Sequence, residues 1–303
     1  MDGDDGLLDL LRYLKKQGYS FHAVTPATHA RVLARELNQA PTLRDVFGWN
    51  RPFRDSEIDP ELLRLMKRSA ILRTDPHGLT SALRVASLGG DLFFHSAYPT
   101  DEAEAVFFGP DTYRFARFIR ERWPTNQAGS VIDMGAGSGA GGIASARLAP
   151  KAAITLVDLN PRALRLARVN ARAAGVAVDL RQDRALPTNA DVVVANPPYM
   201  IDNARRSYRD GGDLFGGAVA LDWAGQAMAK LAPGATLLLY TGVAVVAGAS
   251  PLVSALERAC ADAGALLEIE EIDPDVFGEE LEQPVYAEVE RIAAIGVVIR
   301  VGG

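Results

Sequence analysis

Between residues 130 and 301 short apolar runs recur at intervals that helical segments fill. The runs are SVIDM (130–134), AITLVD (153–158), AVDLR (177–181), DVVVAN (191–196), ATLLLY (235–240), ALLEIEEI (265–272) and AAIGVVIRV (293–301). A strand that is apolar on both sides must be covered on both faces. Alternation with helices therefore predicts a mostly parallel, doubly wound α/β sheet. The last run follows a short acidic connection with room for a return in the antiparallel sense.

The first 105 residues read differently. LLDLLRYLKKQG has helical periodicity and a stop at Gly18. TPATHARVLARELN offers Thr25 as cap and Pro26 at the first helical position. DPELLRLMKRSA repeats that arrangement with Asp59 and Pro60. ALRVASLGGDLFFHSA reads as two short strands around a Leu-Gly-Gly-Asp turn. The expectation is a smaller N-terminal α+β domain, winged-helix-like, over 1–105, and a second domain over 106–303.

Composition bounds the class. Cys260 is the only cysteine, which leaves no intrachain disulfide and no cysteine zinc site. The four histidines show no metal-ligand spacing, so no metal is expected. No apolar run reaches the roughly 18 residues of a membrane span, and MDGDDGLLDLL is acidic where a signal peptide is basic. The expectation is a cytoplasmic protein with no membrane partner. The net charge of −6 is local: residues 257–290 hold 12 acidic side chains and one basic. Residues 1–256 carry 29 basic and 26 acidic side chains, so nucleic acid stays open as a partner.

The first strand runs into VIDMGAGSGAGG. Glycines 135, 137 and 139 let a ligand approach the backbone, and the helix start that follows offers unpaired N–H groups. The string also fits Gly-x-Gly-x-x-Ala, a dinucleotide fingerprint. Asp133, two residues before the first glycine, would repel a pyrophosphate and attract a positively charged ligand. S-adenosylmethionine has no phosphate and carries an ammonium and a sulfonium. Asp158 ends the second strand, where a carboxylate can accept from ribose hydroxyls. Asp183, after the third, can accept from an adenine amino group. Ligands bind at such strand ends.

The fourth strand ends in Asn196-Pro197-Pro198-Tyr199. Proline fixes φ and restricts the residue before it, so the strand stops there and the turn is stiff. A planar –NH₂ nitrogen is a poor nucleophile, because its lone pair is delocalised. It must be held in line, with acceptors for both hydrogens as positive charge grows on nitrogen. The Asn196 side-chain oxygen and the Pro197 carbonyl can be those acceptors, and an exposed Tyr199 can stack on the flat substrate.

At this point the chain resembles class I S-adenosylmethionine-dependent methyltransferases over about 106–303. DMGAGSG and VDLNPRALRLARVNARAAG look like the first two motifs of that superfamily, and NPPY resembles its motif for methylating planar nitrogens. The resemblance implies a Rossmann-like seven-stranded sheet with the last strand antiparallel. It implies S-adenosylmethionine held by Asp133, Gly135, Ala136, Gly137, Asp158, Leu159, Asp183 and Thr112, with Asn196, Pro197 and Tyr199 at the acceptor. FFGPDTYRFARFI is similar to a segment of the release-factor glutamine methyltransferases. Pro110, Asp111 and Thr112 match that segment, while Gly109 and Tyr113 depart from it. SYRDGGDLFGGAVALDWA resembles their Gly-Gly segment. The acceptors left open are a protein glutamine, first, then the exocyclic amine of an RNA or DNA base, or a small amine. A non-catalytic S-adenosylmethionine- or RNA-binding module is the reading from a different class.

Two charged stretches carry expectations of their own. Arg162, Arg165, Arg168 and Arg172 lie on one helix face and read as solvated. Arg205, Arg206 and Arg209 follow NPPY in a loop that reads as flexible. EIEEIDPDVFGEELEQP reads as a solvated hairpin.

Overall fold

The computed structural model describes residues 3–36, 39–124, 128–202, 204–206 and 208–302. The chain separates into two compact units. One comprises Met1–Tyr113, Gly137–Ala140 and Arg162–Ala177; the other comprises Arg114–Ala136, Gly141–Pro161 and Val178–Gly303.

The N-terminal unit begins with helices α1 (Gly3–Lys16), α2 (Pro26–Leu33), α3 (Leu43–Phe47) and α4 (Pro60–Arg68). The caps are those the sequence offers. Thr25 accepts from Thr28 N–H, Asp59 accepts from Glu61 and Leu62 N–H, and Gly18 has φ 69°. The predicted second helix ends early, and its last two residues, 37 and 38, lie outside the described residues. Two hairpins follow, β1 (Leu72–Asp75) with β2 (Gly78–Ser81), and β3 (Leu83–Leu88) with β4 (Asp91–Ser96). The second hairpin turns where Leu-Gly-Gly-Asp predicts; the first has no comparable apolar alternation and is not anticipated. Leu7, Leu10, Leu11 and Leu14 of α1 form a core with Phe21, Phe47, Leu65, Val85 and Phe94.

The arginine row is a solvated face, as expected, with Arg165, Arg168 and Arg172 exposed, but it is also paired. Arg165 and Arg168 donate to the buried Asp4 carboxylate, at 2.7 and 2.6 Å. Arg172 donates to Asp5 at 3.0 Å, and Arg162 pairs with Glu102. The acidic N-terminus that looked like a poor signal peptide is thus a set of partners for this row.

Helix α5 (Pro110–Arg122) leads into the sheet unit. There follow β5 (Ser130–Met134), α6 (Ala140–Leu148), β6 (Ala153–Asp158), α7 (Pro161–Ala174), β7 (Asp179–Gln182) and β8 (Val192–Ala195). After a one-turn element, α8 (Asp213–Gly216), come α9 (Ala218–Lys230), β9 (Thr236–Val245), α10 (Pro251–Ala263), β10 (Leu266–Asp273) and β11 (Arg291–Arg300). The sheet has seven strands in the order β10-β11-β9-β8-β5-β6-β7. Only β11 runs against its neighbours; the other pairs are parallel. The doubly wound, Rossmann-like α/β fold with an antiparallel last strand is therefore present. Every residue of β8 and β9 is buried, as a doubly covered strand requires. Asp191 aligns the central pair by accepting from Gly129 N–H (2.7 Å) and Ser130 N–H (2.9 Å) at the foot of β5.

Candidate active site

Parallel pairing brings the carboxyl ends of four strands level. Met134 of β5 is in register with Ala195 of β8 and with Val157 of β6, and Asp158 is in register with Gln182 of β7. One residue beyond, Gly135 and Asn196 leave adjacent strands side by side. The sheet thereby gathers Asp133, Gly135, Ala136, Asp158, Leu159, Asp183, Asn196, Pro197 and Tyr199 at one edge. Gly137 and Thr112 belong to the other unit. Gly137 has φ 53°, and the buried Thr112 hydroxyl accepts from Gly109 N–H at 3.3 Å, which fixes the start of α5.

Gly135 has φ 70°, and its N–H and that of Ala136 both donate to Val157 O at 2.9 Å. A side chain there would come within 2.6 Å of the Trp223 ring, so the turn lies directly on an aromatic from α9. Nothing in the spacing of Trp223 announces this contact.

Asp133 is not an exposed carboxylate facing a ligand. It is 1% exposed and accepts from Gly142 N–H at 2.7 Å, tying β5 to the first turn of α6. Gly141 leaves room for it, since a Cβ there would meet Asp133 Oδ1 at 2.8 Å. Burial pushes its carboxyl up to about 7; the Gly142 hydrogen bond opposes this, and the Asp158 charge adds to it. A carboxyl so raised is not fully charged at neutral pH, which weakens the expected repulsion between Asp133 and a pyrophosphate. Asp158 is half-buried, with Oδ1 accepting from Asn160 N–H at 2.8 Å. Leu159 is 44% exposed. Asp183 is exposed and accepts from Ala185 N–H at 2.9 Å; that backbone bond, the larger cause, lowers its pKa.

Asn196 is half-buried, and among the described residues its carboxamide makes no hydrogen bond. The buried Pro197 likewise receives none at its carbonyl. Two acceptors thus stand unengaged at the strand end. The exposed Tyr199 predicted from sequence is a correction: the ring is only 9% exposed. It lies over Gly242 of β9, where a Cβ would fall inside the ring, and edge-on to Phe277 at a centroid distance of 6.0 Å. The apolar sheet surface beneath it is a better home for most of the ring than water. The ring packs the turn against β9 and Phe277.

The segment between β10 and β11 is a second correction. It is no solvated hairpin but two short 3₁₀ turns, at Gly278–Glu282 and Pro284–Tyr286. Tyr286 is fully buried, and its hydroxyl accepts from Ile201 N–H at 2.8 Å, just past NPPY. Buried Glu280 pairs with Arg209. Arg206 forms a fork on Asp202, at 2.6 and 2.8 Å, and the Asp202 carboxyl is driven down to about 2, chiefly by that arginine. Arg206 and Arg209 are therefore braces for the loop; Arg205 alone of the three is exposed. Sequence reasoning missed Trp223, Gly242, Phe277 and Tyr286. A lone glycine inside the strand run YTGVAV was the one available hint, because such a glycine marks close approach.

Residues 104–220 match the methyltransferase small domain family. Among curated proteins the chain is similar to the release factor glutamine methyltransferase of Deinococcus radiodurans, 32% identical over 167 residues, covering 50% of this chain and 59% of that one. It is also similar to the protein of the same name from Koribacter versatilis, 29% identical over 152 residues, covering 45% and 54%. The chain spans little more than half the length of these relatives. Among solved structures, Trm5b from Pyrococcus abyssi aligns with a TM-score of 0.48 at 18% identity, covering 77% of this chain and 62% of that one. Among the described residues no helix is long and apolar enough to cross a membrane, and no cluster of side chains could hold a metal ion.

Proposed function

We propose that this protein transfers a methyl group from S-adenosylmethionine to the side-chain amide nitrogen of a protein glutamine, with a peptide chain release factor as the first candidate acceptor. The observation that carries the reading is the pair of unengaged acceptors, Asn196 Oδ1 and Pro197 O, on the strand next to the glycine turn. The donor set suits this cofactor. It offers a glycine turn with an aromatic beneath it, a carboxylate at the second strand end, and a buried carboxyl in place of a phosphate cradle. When bound, S-adenosylmethionine supplies an electrophilic methyl group.

The chain's own residues do the rest. Asn196 Oδ1 and Pro197 O accept the two amide hydrogens, which aligns the nitrogen and stabilises positive charge as it grows there. Pro197 and Pro198 stiffen the backbone that carries both oxygens. Tyr199, seated on Gly242, and Tyr286, through Ile201, hold the turn against the sheet. No strong base is needed, since the methylated nitrogen becomes acidic and loses its proton to water. The names of the relatives favour glutamine over a base. The carboxylate partners of Arg162, Arg165, Arg168 and Arg172 point the same way, since they offset much of the positive charge that RNA would meet there.

The test is incorporation of labelled methyl groups into a cell extract and into unmethylated release factor, with Asn196→Ala as control. Samples are digested with protease or nuclease before counting. Asn196→Ala is expected to keep cofactor affinity and lose turnover by about 10²–10³-fold, the range for removing one preorganised hydrogen-bonding partner of a transition state. Label released by nuclease would replace glutamine with a base acceptor. Equal counts in both proteins would remove NPPY from the mechanism.

A further inference from the structure

We propose that Leu214 and Phe215 form an apolar clamp for the polypeptide that carries the acceptor amide. The proposal rests on the function just given and names how that substrate is gripped. It starts from backbone conformation. Leu214 has φ 57°, ψ 42° and Phe215 has φ 53°, ψ 36°. Two consecutive L-residues in the left-handed region are disfavoured, because Cβ crowds the following carbonyl. Glycine would remove the strain, and the same segment, GGDLFGG, has four of them at 211, 212, 216 and 217. Two large apolar side chains nevertheless occupy the strained pair.

The turn is bolted to the acceptor site. Gly211 N–H donates to Met200 O at 2.8 Å. A Cβ on Gly211 would run into the carbonyls of Gly216 and Pro198, and one on Gly216 into the carbonyl of Tyr199. These glycines let the 211–216 backbone lie directly on the backbone of Pro198-Tyr199-Met200. A shift in one must be felt by the other. Leu214 is 38% exposed, one of four large apolar side chains exposed among the described residues, and Phe215 is half-buried. Of the nearby charges, Arg206 is engaged by Asp202 and Arg209 by Glu280, while Arg205 and Asp213 are exposed. Beside the Asp213 carboxylate, what Leu214 and Phe215 themselves offer a substrate is apolar contact. A protein chain flanking a glutamine can use that contact; a free amine cannot.

Three full-length variants test this: Leu214→Gly, Phe215→Gly and Leu214→Met. The measurements are cofactor affinity by calorimetry, Tm, and steady-state methyl transfer to unmethylated release factor and to extract protein. Leu214→Gly is expected to raise the acceptor KM about tenfold, the loss of one apolar contact of about 1.4 kcal/mol. Cofactor Kd should stay within about twofold and Tm should not fall, since the change relieves strain. Phe215→Gly should act in the same direction, and Leu214→Met should restore the acceptor KM. An unchanged acceptor KM in both glycine variants overturns the proposal, as does a parallel loss of cofactor affinity or Tm. Failure of the underlying function shows instead in the wild type: a chain that binds cofactor and labels no protein overturns both.

Discussion

The sheet unit and the N-terminal unit are filled with different chemistry. The sheet core is mainly apolar, with Val193, Leu237, Leu239, Val297 and Ile299 within it and small Ala220, Ala224 and Ala227 letting α9 approach. The N-terminal unit buries polar groups alongside its leucines. Arg84 is 6% exposed, with Nε donating to Ser96 O at 3.1 Å and Nη1 facing His29 Nδ1 at 3.4 Å. Among the described residues no carboxylate pairs with it. Burial lowers its pKa to about 10, so it remains charged at neutral pH. His29 Nε2 sits 2.9 Å from Trp49 O and its ring stacks on Tyr98 at 4.2 Å, an arrangement that suits an Nε2–H donor and an Nδ1 acceptor for Arg84. Burial, with the Arg84 charge second, holds His29 down to about 4, so it stays neutral. Asn170 completes the pattern, accepting from Phe94 N–H at 2.9 Å and donating to Ser138 O at 2.9 Å. The sheet interior is held mainly by area removed from water, the N-terminal interior by area plus directional bonds. The apolar interior of the first, away from Asp133, should tolerate changes of salt and pH; the second should feel the loss of single atoms.

Four substitutions can break or sharpen that contrast. Leu239→Ala in β9 should cost about 3–4 kcal/mol, as a buried leucine lost to a cavity does. Denaturant unfolding should give the same value at low and high salt; a strong salt dependence would mean that the sheet unit also leans on charge. His29→Ala should cost about 2–3 kcal/mol through lost stacking and a less satisfied buried arginine. Asp4→Asn should cost about 1–2 kcal/mol by weakening the hydrogen bonds from Arg165 and Arg168. Burial raises the Asp4 pKa, but those two arginines outweigh it and the net shift is downward. Its contribution is therefore present above the ordinary carboxyl value and lost as pH falls through the lower folded one. Salt should shrink the difference between wild type and Asp4→Asn; a salt-independent difference would recast Asp4 as a packing residue.

Asp133 tests the contrast from the other side, since its shift has the opposite sign. Its folded pKa of about 7 lies above the ordinary value of 3.8. The stability it contributes is full below that lower value and falls as pH rises towards 7. Asp133→Asn should flatten this part of the stability profile. A cationic ligand would lower the raised pKa, so wild type should release protons on binding S-adenosylmethionine near pH 7, while Asp133→Asn should not. Calorimetry in two buffers of different ionisation enthalpy reads the difference. Equal proton release from the two proteins would remove Asp133 from the cofactor's surroundings.

The same contrast explains what could be read without a structure. The strands of the sheet unit are local statements: apolar runs such as VVVA and TLLLY declare burial on both faces, and glycine and proline punctuate them. Their pairing puts Gly135 beside Asn196 with little freedom left, so the strand-end geometry of the site is largely legible. Asp158 and Asn196 stand where the runs say they should. The N-terminal caps Thr25 and Asp59 were legible for the same reason, since capping acts over three residues. The polar interior of the N-terminal unit was not. Arg84 looks like a surface residue until Ser96 and His29 meet it, and the arginine row looks unpaired until Asp4 and Asp5 arrive from about 160 residues away.

Sequence alone determined the class of fold, the glycine turn, the strand ends that bear carboxylates, and the rigid Asn-Pro-Pro turn. Each depends on backbone conformation and local hydropathy, which are properties of short segments. Tertiary structure decided whether those groups are exposed and charged. It buried the Asp133 carboxyl, laid Tyr199 over Gly242, folded an acidic segment into a brace through Tyr286 and Glu280, and set a strained Leu214–Phe215 turn on the acceptor backbone. Exposure, pKa and strain are set by whatever packs against a residue, and those neighbours come from distant parts of the chain.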